Sequence, residues 1–234
     1  MITSPEIFLK VKYRLNKVDT QDYENIPVYN VVEAFNKAQL NVVNRFFGKN
    51  NNYKTGVEST KKRIDDLQVL INSEPMVLSV EKKSKYFLTE PIPQDYFHYI
   101  KVNADGSIKD CKNQLINVFI REESNINTLL NNDFFNPNFE WRETIGTILN
   151  NQIKVYTNDL FEVNKVLLTY LKKPRSIDIK GYINREGTPS TNINPELPDD
   201  IIELCVDETI RILSGDMHNQ FSNQISQQNI QLNE

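Results

Sequence analysis

The chain has 234 residues, of which 39% are hydrophobic and 25% charged, and its formal net charge is −4. That length buries a real core, as one large domain or two small ones. The acidic balance argues against a generic nucleic-acid binder, which needs a concentrated basic face. No apolar run approaches the roughly 18 residues that span a bilayer, the opening MITSPEIFLK lacks the pattern of a signal peptide, and two distant cysteines, Cys111 and Cys205, require no disulfide.

Asn is frequent, with runs at Asn50–Asn52 and Asn131–Asn132. Asn favours turns, caps and solvated surface, so many loops are expected. At the N-terminus, Thr3 or Ser4 suits a helix cap, Pro5 its first turn and Glu6 its positive end. Ile7, Val11 and Leu15 then share one face of a short helix reaching about Asn16. A second helix is expected from Asn30, where Asn30 and Glu33 have capping-box spacing. Its apolar face is Val31, Phe35, Ala38, Val42 and Phe46, and Gly48 ends it. A third runs from about Gly56 to Ile71 on Val57, Thr60, Ile64, Leu67 and Ile71, which makes an antiparallel helical hairpin.

Past Ser73 the period becomes extended. Strands are expected at Met76–Val80, Tyr86–Thr89 and Tyr96–Val102, with Asp105–Gly106 as a turn and Ile108–Asp110 as the returning partner. Leu115–Ile120 reads as a further strand and Glu122–Asn132 as a short helix or loop. Phe134–Phe139 is an aromatic loop, read as pinned onto the core by its Phe side chains in preference to a ligand pocket. A meander follows: Trp141–Leu149, a turn at Asn150–Asn151, Ile153–Thr157, then Val163–Leu171, stopped by Pro174. Residues 181–198 are a linker by composition.

The clearest helix signal lies in Pro195–Asp216, with Asp199, Asp200 and Glu203 near the positive end. Ile201, Ile202, Cys205, Val206, Ile210, Ile212 and Leu213 make a face wide enough for two neighbours, and the N-terminal helices are the natural ones. The expected fold class is α+β: a helical bundle from the N-terminal helices and a C-terminal helix, an inserted antiparallel β-rich lobe, and an extended C-terminal tail. The corresponding boundaries are 1–73, 74–180, 181–217 and 218–234. In the tail, Phe221, Ile225, Ile230 and Leu232 stand isolated among Asn and Gln. Such a segment is short of core-forming residues, and it is either a disordered terminus or a contact that orders on a partner.

Chemistry-bearing motifs are absent. There is no GxSxG, HExxH, Walker loop or GxGxxG. His98 and His218, the only histidines, have no neighbouring Cys, Asp or Glu at metal spacing. Asp65–Asp66 and Asp199–Asp200 are adjacent pairs, which do not face each other on a helix. Lys61–Arg63 and Lys172–Arg175 read as solvated surface. The aromatic-basic stretch Tyr96–Lys101 reads as core before a base-stacking platform. No catalytic residue, metal ligand or cofactor-binding residue is assigned, and an enzyme is not expected.

The order of elements, with the phrases NVVEAFNKAQLNVVNRFF, TGVESTKKRIDDLQVLI, DYFHYIKV, YLKKPRSI and LPDDIIELCVDETIRIL, resembles the head-to-tail connector proteins of tailed bacteriophages. Within these it is most similar to the ring or adaptor proteins below the portal of crAss-like phages. The resemblance spans about Pro5 to Asp216. It implies a structural virion protein, usually in a ring of twelve copies, that touches the portal protein and other ring or tail proteins. It also implies a channel that passes double-stranded DNA without sequence-specific binding, with no membrane and no cofactor. The tail would then reach the portal or a neighbouring subunit, with Phe221, Ile225, Ile230 and Leu232 as contacts. Two other classes stay open: a phage enzyme or regulatory factor acting on nucleic acid or the cell wall, and a monomeric tail accessory binding module.

Overall fold

The computed structural model describes residues 2–16, 26–47, 67–72, 76–109, 111–132, 134–183, 187–216 and 228. The expected third helix over 56–66, the Lys61–Arg63 and Asp65–Asp66 groups, and the tail contacts Phe221, Ile225, Ile230 and Leu232 lie outside them. The fold is α+β, with helices at both ends of the chain and a β-barrel inserted between them in sequence. Two compact units result: Met1–Leu70 with Pro174–Glu234, and Ile71–Lys173.

The helical unit is built on α1 (Ser4–Asn16), α2 (Val28–Phe47) and α4 (Asp199–Asp216). Glu6 accepts the Thr3 N–H at 2.7 Å, half of a capping box, and Thr3 is the cap. That bond holds the Glu6 carboxyl below its ordinary value. Ile7, Val11 and Leu15 are buried, as their spacing requires. Helix α2 begins directly after Pro27, so Asn30 lies inside its first turn and does not cap it. From Leu67 the chain makes a short 3-10 turn, Gln68–Leu70, and Ile71 already bridges to Leu171, so no helix reaches Ile71.

Helix α4 is the centre of this unit and packs against both α1 and α2, which touch each other little. Its apolar face is buried as expected, apart from Ile212, which is half-buried. Two acids lie on that buried side as well. Glu208 is 0% exposed. It accepts two hydrogen bonds from Arg211 (2.5 and 2.9 Å), one from Asn41 (3.0 Å) and one from Arg45 (3.3 Å). Asp207 and Glu203 take the guanidinium of Arg14, and Glu203 also takes Lys10. Thus α2 is locked to α4 through one carboxylate and α1 through two others.

The segment 181–198 is more than a linker. Ser190 Oγ accepts the N–H groups of Gly181 and Tyr182 (both 3.0 Å), Tyr182 donates to Asp178 (2.7 Å), and Asp178 pairs with Ile193. Burial and the adjacent Asp178 carboxylate push the Tyr182 hydroxyl up to about 12. Asn36 of α2 pairs with both the N–H and the C=O of Ile177, so residues 174–179 belong to the helical unit.

The second unit is a closed seven-stranded barrel: β1 (Met76–Lys82), β2 (Tyr86–Thr89), β3 (Tyr96–Ile108), β4 (Cys111–Ile120), β5 (Glu143–Leu149), β6 (Gln152–Tyr156) and β7 (Glu162–Lys172). The order around the barrel is β1-β2-β6-β5-β4-β3-β7. The sheet is mixed, not purely antiparallel, because β4 and β5 run parallel, Asn117 opposite Glu143 and Phe119 opposite Ile145. The interior holds Leu78, Phe87, Val102, Ala104, Ile116, Val118, Ile153, Val155, Val166 and Leu168.

Asp105–Gly106 is not a turn. It lies within β3, which runs on to Ile108, and the return strand starts at Cys111. The glycine answers a packing need: a Cβ on Gly106 would sit 2.3 Å from Ile116 Cδ1. Gly146 on β5 is less forgiving, since its Cβ would meet Val118 Cγ1 at 2.7 Å and also a backbone group, the Lys154 carbonyl, at 2.8 Å. Register shifts along β3 bend it around the barrel. Among the described residues, Asn supplies four of the seven non-glycine positive-φ positions, including Asn150 and Asn151, which form the β5–β6 hairpin turn.

Two outcomes follow. Gly146→Ala should destabilise the protein by about 1–3 kcal/mol, and Gly106→Ala by less, because the end of Ile116 can move while a backbone carbonyl cannot. Urea titrations with unchanged slope test this. Glu208→Ala should lose about 3–5 kcal/mol near neutral pH. Burial pushes the Glu208 carboxyl up, but its bonds from Arg211 and Asn41 and the two guanidinium charges hold it below its ordinary 4.5. Its stabilising contribution is therefore present above pH 4.5 and is lost as pH falls through the lower folded value. Asp207 has the opposite sign: burial outweighs Arg14 and raises its pKa, so its contribution declines as pH rises past the ordinary 3.8. The acid limb of a stability–pH profile should flatten in Glu208→Ala.

Candidate functional site

A hairpin cannot join parallel neighbours, so β4 reaches β5 through a long crossover, residues 121–142. The crossover opens with a 3-10 turn and the short helix α3 (Ile126–Leu130). Ile126, Leu129 and Leu130 cover Ile145, Tyr156 and Tyr86, a small second core. Glu123 fixes the start, accepting from Thr147 (2.6 Å) and Lys154 (2.8 Å). Those bonds hold its carboxyl below the usual range.

The aromatic loop follows. Asn132 accepts the Phe134 N–H on its side chain (3.0 Å), and the Asn136 side chain accepts from Asn158 (2.7 Å). Phe139 packs inward against Phe161, ring centroids 5.7 Å apart. Asn138 and Glu143 then bridge to each other, and Asn138 Oδ1 takes the Trp141 N–H at 3.0 Å. This closes a tight turn with Arg142 in the left-handed region, φ 57°, and the turn presents Trp141 outward.

The loop is therefore only partly pinned by its Phe side chains. Phe139 does pin it, but Phe134 is 85% and Trp141 66% exposed, and Phe135 is also exposed. Together with Phe119, Arg121, Leu129, Asn136, Asn138 and Glu143 they line a cavity of about 150 Å³. That volume suits one ring-sized group. The aromatic and Arg content matches the composition of interface anchors. Neither Arg121 nor Glu143 has a side-chain partner among the described residues. The Thr144 hydroxyl in the lining donates to the Tyr156 carbonyl, and the cavity offers apolar contact with one charge of each sign, Arg121 and Glu143, in its lining.

Other candidates named from the sequence fall elsewhere. Asp199 accepts the Ile2 N–H at 2.7 Å, and Asp200 is exposed beside it. His98 is half-buried on β3 with its ring 4.3 Å from that of Phe97, and burial lowers its pKa. In the Tyr96–Lys101 stretch, Tyr96 packs on the barrel core while Tyr99 is exposed. Cys111 and Cys205 are free thiols, and burial pushes the Cys205 thiol up. Among the described residues no group of His, Cys, Asp or Glu is placed to hold a metal, and no helix is long and apolar enough to cross a membrane. No protein-family model matches the sequence. No curated protein matches it either.

The sequence did not bring Phe119, Arg121 and Glu143 together with the aromatic loop. The available signal was the 22-residue stretch between two strands, too long for a hairpin and carrying most of its aromatics at one end.

Trp141 is the single tryptophan, so in the unassociated chain at high dilution its fluorescence should resemble free indole in water and be quenched readily by acrylamide. Trp141→Ala should change stability by no more than about 0.5 kcal/mol. A blue-shifted, protected emission would show the cavity closed in solution.

Proposed function

We propose that the protein is a structural subunit of the portal–tail connector of a tailed bacteriophage, resident in the virion. It would form a ring, of twelve copies in the family it resembles, that extends the DNA channel. The observation that carries this reading is a pair of apolar surfaces, one on each unit, that are exposed among the described residues. One is Leu9 and Tyr13 on α1, 63% and 68% exposed, and the other is the aromatic cavity on the barrel. Exposed apolar patches mark association sites, and two different patches on one chain suit head-to-tail contacts, which close into rings when the rotation allows.

The portal protein and other ring or tail proteins are the proposed partners. Double-stranded DNA passes without base-specific contact, consistent with a net charge of −4. Phe221, Ile225, Ile230 and Leu232 are proposed as tail contacts to a partner subunit. No catalytic role and no cofactor are assigned.

Negative-stain images of the purified chain should show closed rings, and images of particles should place this protein below the portal. Removing residues 218–234 should leave circular dichroism unchanged and lower assembly onto the portal by about tenfold or more, the effect of losing ~1.4 kcal/mol. A chain absent from particles overturns the reading, and normal assembly of the truncated chain overturns the tail contact.

A further inference from the structure

The two apolar surfaces differ in shape and in charge, and the differences match. On α1, Leu9 and Tyr13 are one turn apart and form a ridge. Helical spacing puts Glu6 on one flank of that ridge and Lys12 on the other. Neither flank is consumed by α4: Glu6 is exposed and bonds within its own helix cap, at Thr3, and Lys12 has no ion-pair partner among the described residues, whereas Lys10 and Arg14 on the inner side are both paired. The barrel cavity has room for one ring, aromatic walls, and an unpaired cation and anion, Arg121 and Glu143, at its lining. A tyrosine ring fills such a space, with its hydroxyl able to bond to the Asn side chains or the solvent at the mouth.

We infer that the occupant of the cavity is a second copy of this chain: Tyr13 of one copy enters the Phe119–Phe134–Trp141 cavity of the next, with Leu9 beside it, Glu6 facing Arg121 and Lys12 facing Glu143. The contact is heterologous, because the ridge and the cavity are different surfaces. It names the partner of the site in the ring reading and rests on that reading for the number of copies only.

The test uses the full chain in a Cys111→Ser background. One population carries Leu9→Cys and the other Phe135→Cys, both exposed positions beside the proposed knob and wall. They are mixed with a short bismaleimide. Cross-linked heterodimers should form in the mixture and not in either population alone. Pairing Leu9→Cys with Val77→Cys, an exposed apolar position elsewhere on the barrel, should give little product. Lys12→Glu should reduce the yield about fivefold, and Glu143→Lys in the other population should restore it, as expected for one interfacial ion pair. Equal yields from both cysteine pairs, or no rescue by the charge exchange, overturn the inference. Rings in micrographs without the cross-link reject this interface and leave the ring reading standing. The cross-link with only open or two-copy products supports the interface and rejects the ring. Absence of both rejects both.

Discussion

The barrel unit depends on a constraint of parity. Going once around a closed sheet, the strand direction must return to its starting sense. Seven strands cannot do so with antiparallel pairs alone, so at least one pair must be parallel. Here it is β4–β5, and the other six pairs are antiparallel. Closure removes the exposed strand edges that would otherwise invite aggregation. The parallel pair in turn requires a crossover, and a crossover has to lie on the outside of a barrel whose interior is filled. The helix α3, the aromatic loop and the cavity are all parts of that one connection. The exposed aromatic side chains of the crossover, Phe134, Phe135 and Trp141, thus sit where they do because of how the sheet closes.

The helical unit rests on a different device. A helix that packs on two neighbours needs a wide buried face, and α4 has one interrupted by Asp207 and Glu208. Desolvating a carboxylate is unfavourable by several kcal/mol unless it is matched. Glu208 is matched by a bidentate Arg211 on its own helix together with Asn41 and Arg45 on α2. Asp207 is less completely matched, which is why burial wins at Asp207 and loses at Glu208. An apolar seam would tolerate sliding by a turn, but the ion pairs of Lys10 and Arg14 on α1 and of Arg45 on α2, with the hydrogen bond from Asn41, favour one register for each helix.

Much of this was legible in the residues. The face of α1, four of the five α2 positions (Phe46 is half-buried), six of the seven α4 positions and most strands follow periodicity, because burial selects on period wherever one face meets a core. Asn150–Asn151 announces its own turn, since Asn tolerates the left-handed region. Three features were not legible, each for a physical reason. Gly106 looks like a turn glycine, but the reason for it is Ile116 on the neighbouring strand, a contact that only pairing reveals. Phe134, Phe135 and Phe139 look alike in sequence, yet only Phe139 finds a partner inside, because the Asn138–Glu143 closure turns the chain after it. Asp207 and Glu208 carry no signal of their burial in the sequence, because the Arg14, Asn41 and Arg45 that meet them come from α1 and α2.

The charge pattern bears on the proposed DNA-channel role. The helical cluster gathers four cations, Lys10, Arg14, Arg45 and Arg211, against three acids, Glu203, Asp207 and Glu208. It holds a slight excess of positive charge, so the remainder of the chain is somewhat more acidic than the total of −4 suggests. Duplex DNA is held by cations that are free to replace its counterions, and cations already bonded to buried or half-buried carboxylates are poor candidates for that exchange. Four of the basic side chains are thereby committed to holding helices together. In the proposed assembly, copies would then meet through apolar surfaces flanked by the charges the helical cluster does not use, Glu6 and Lys12 on one copy and Arg121 and Glu143 on the next.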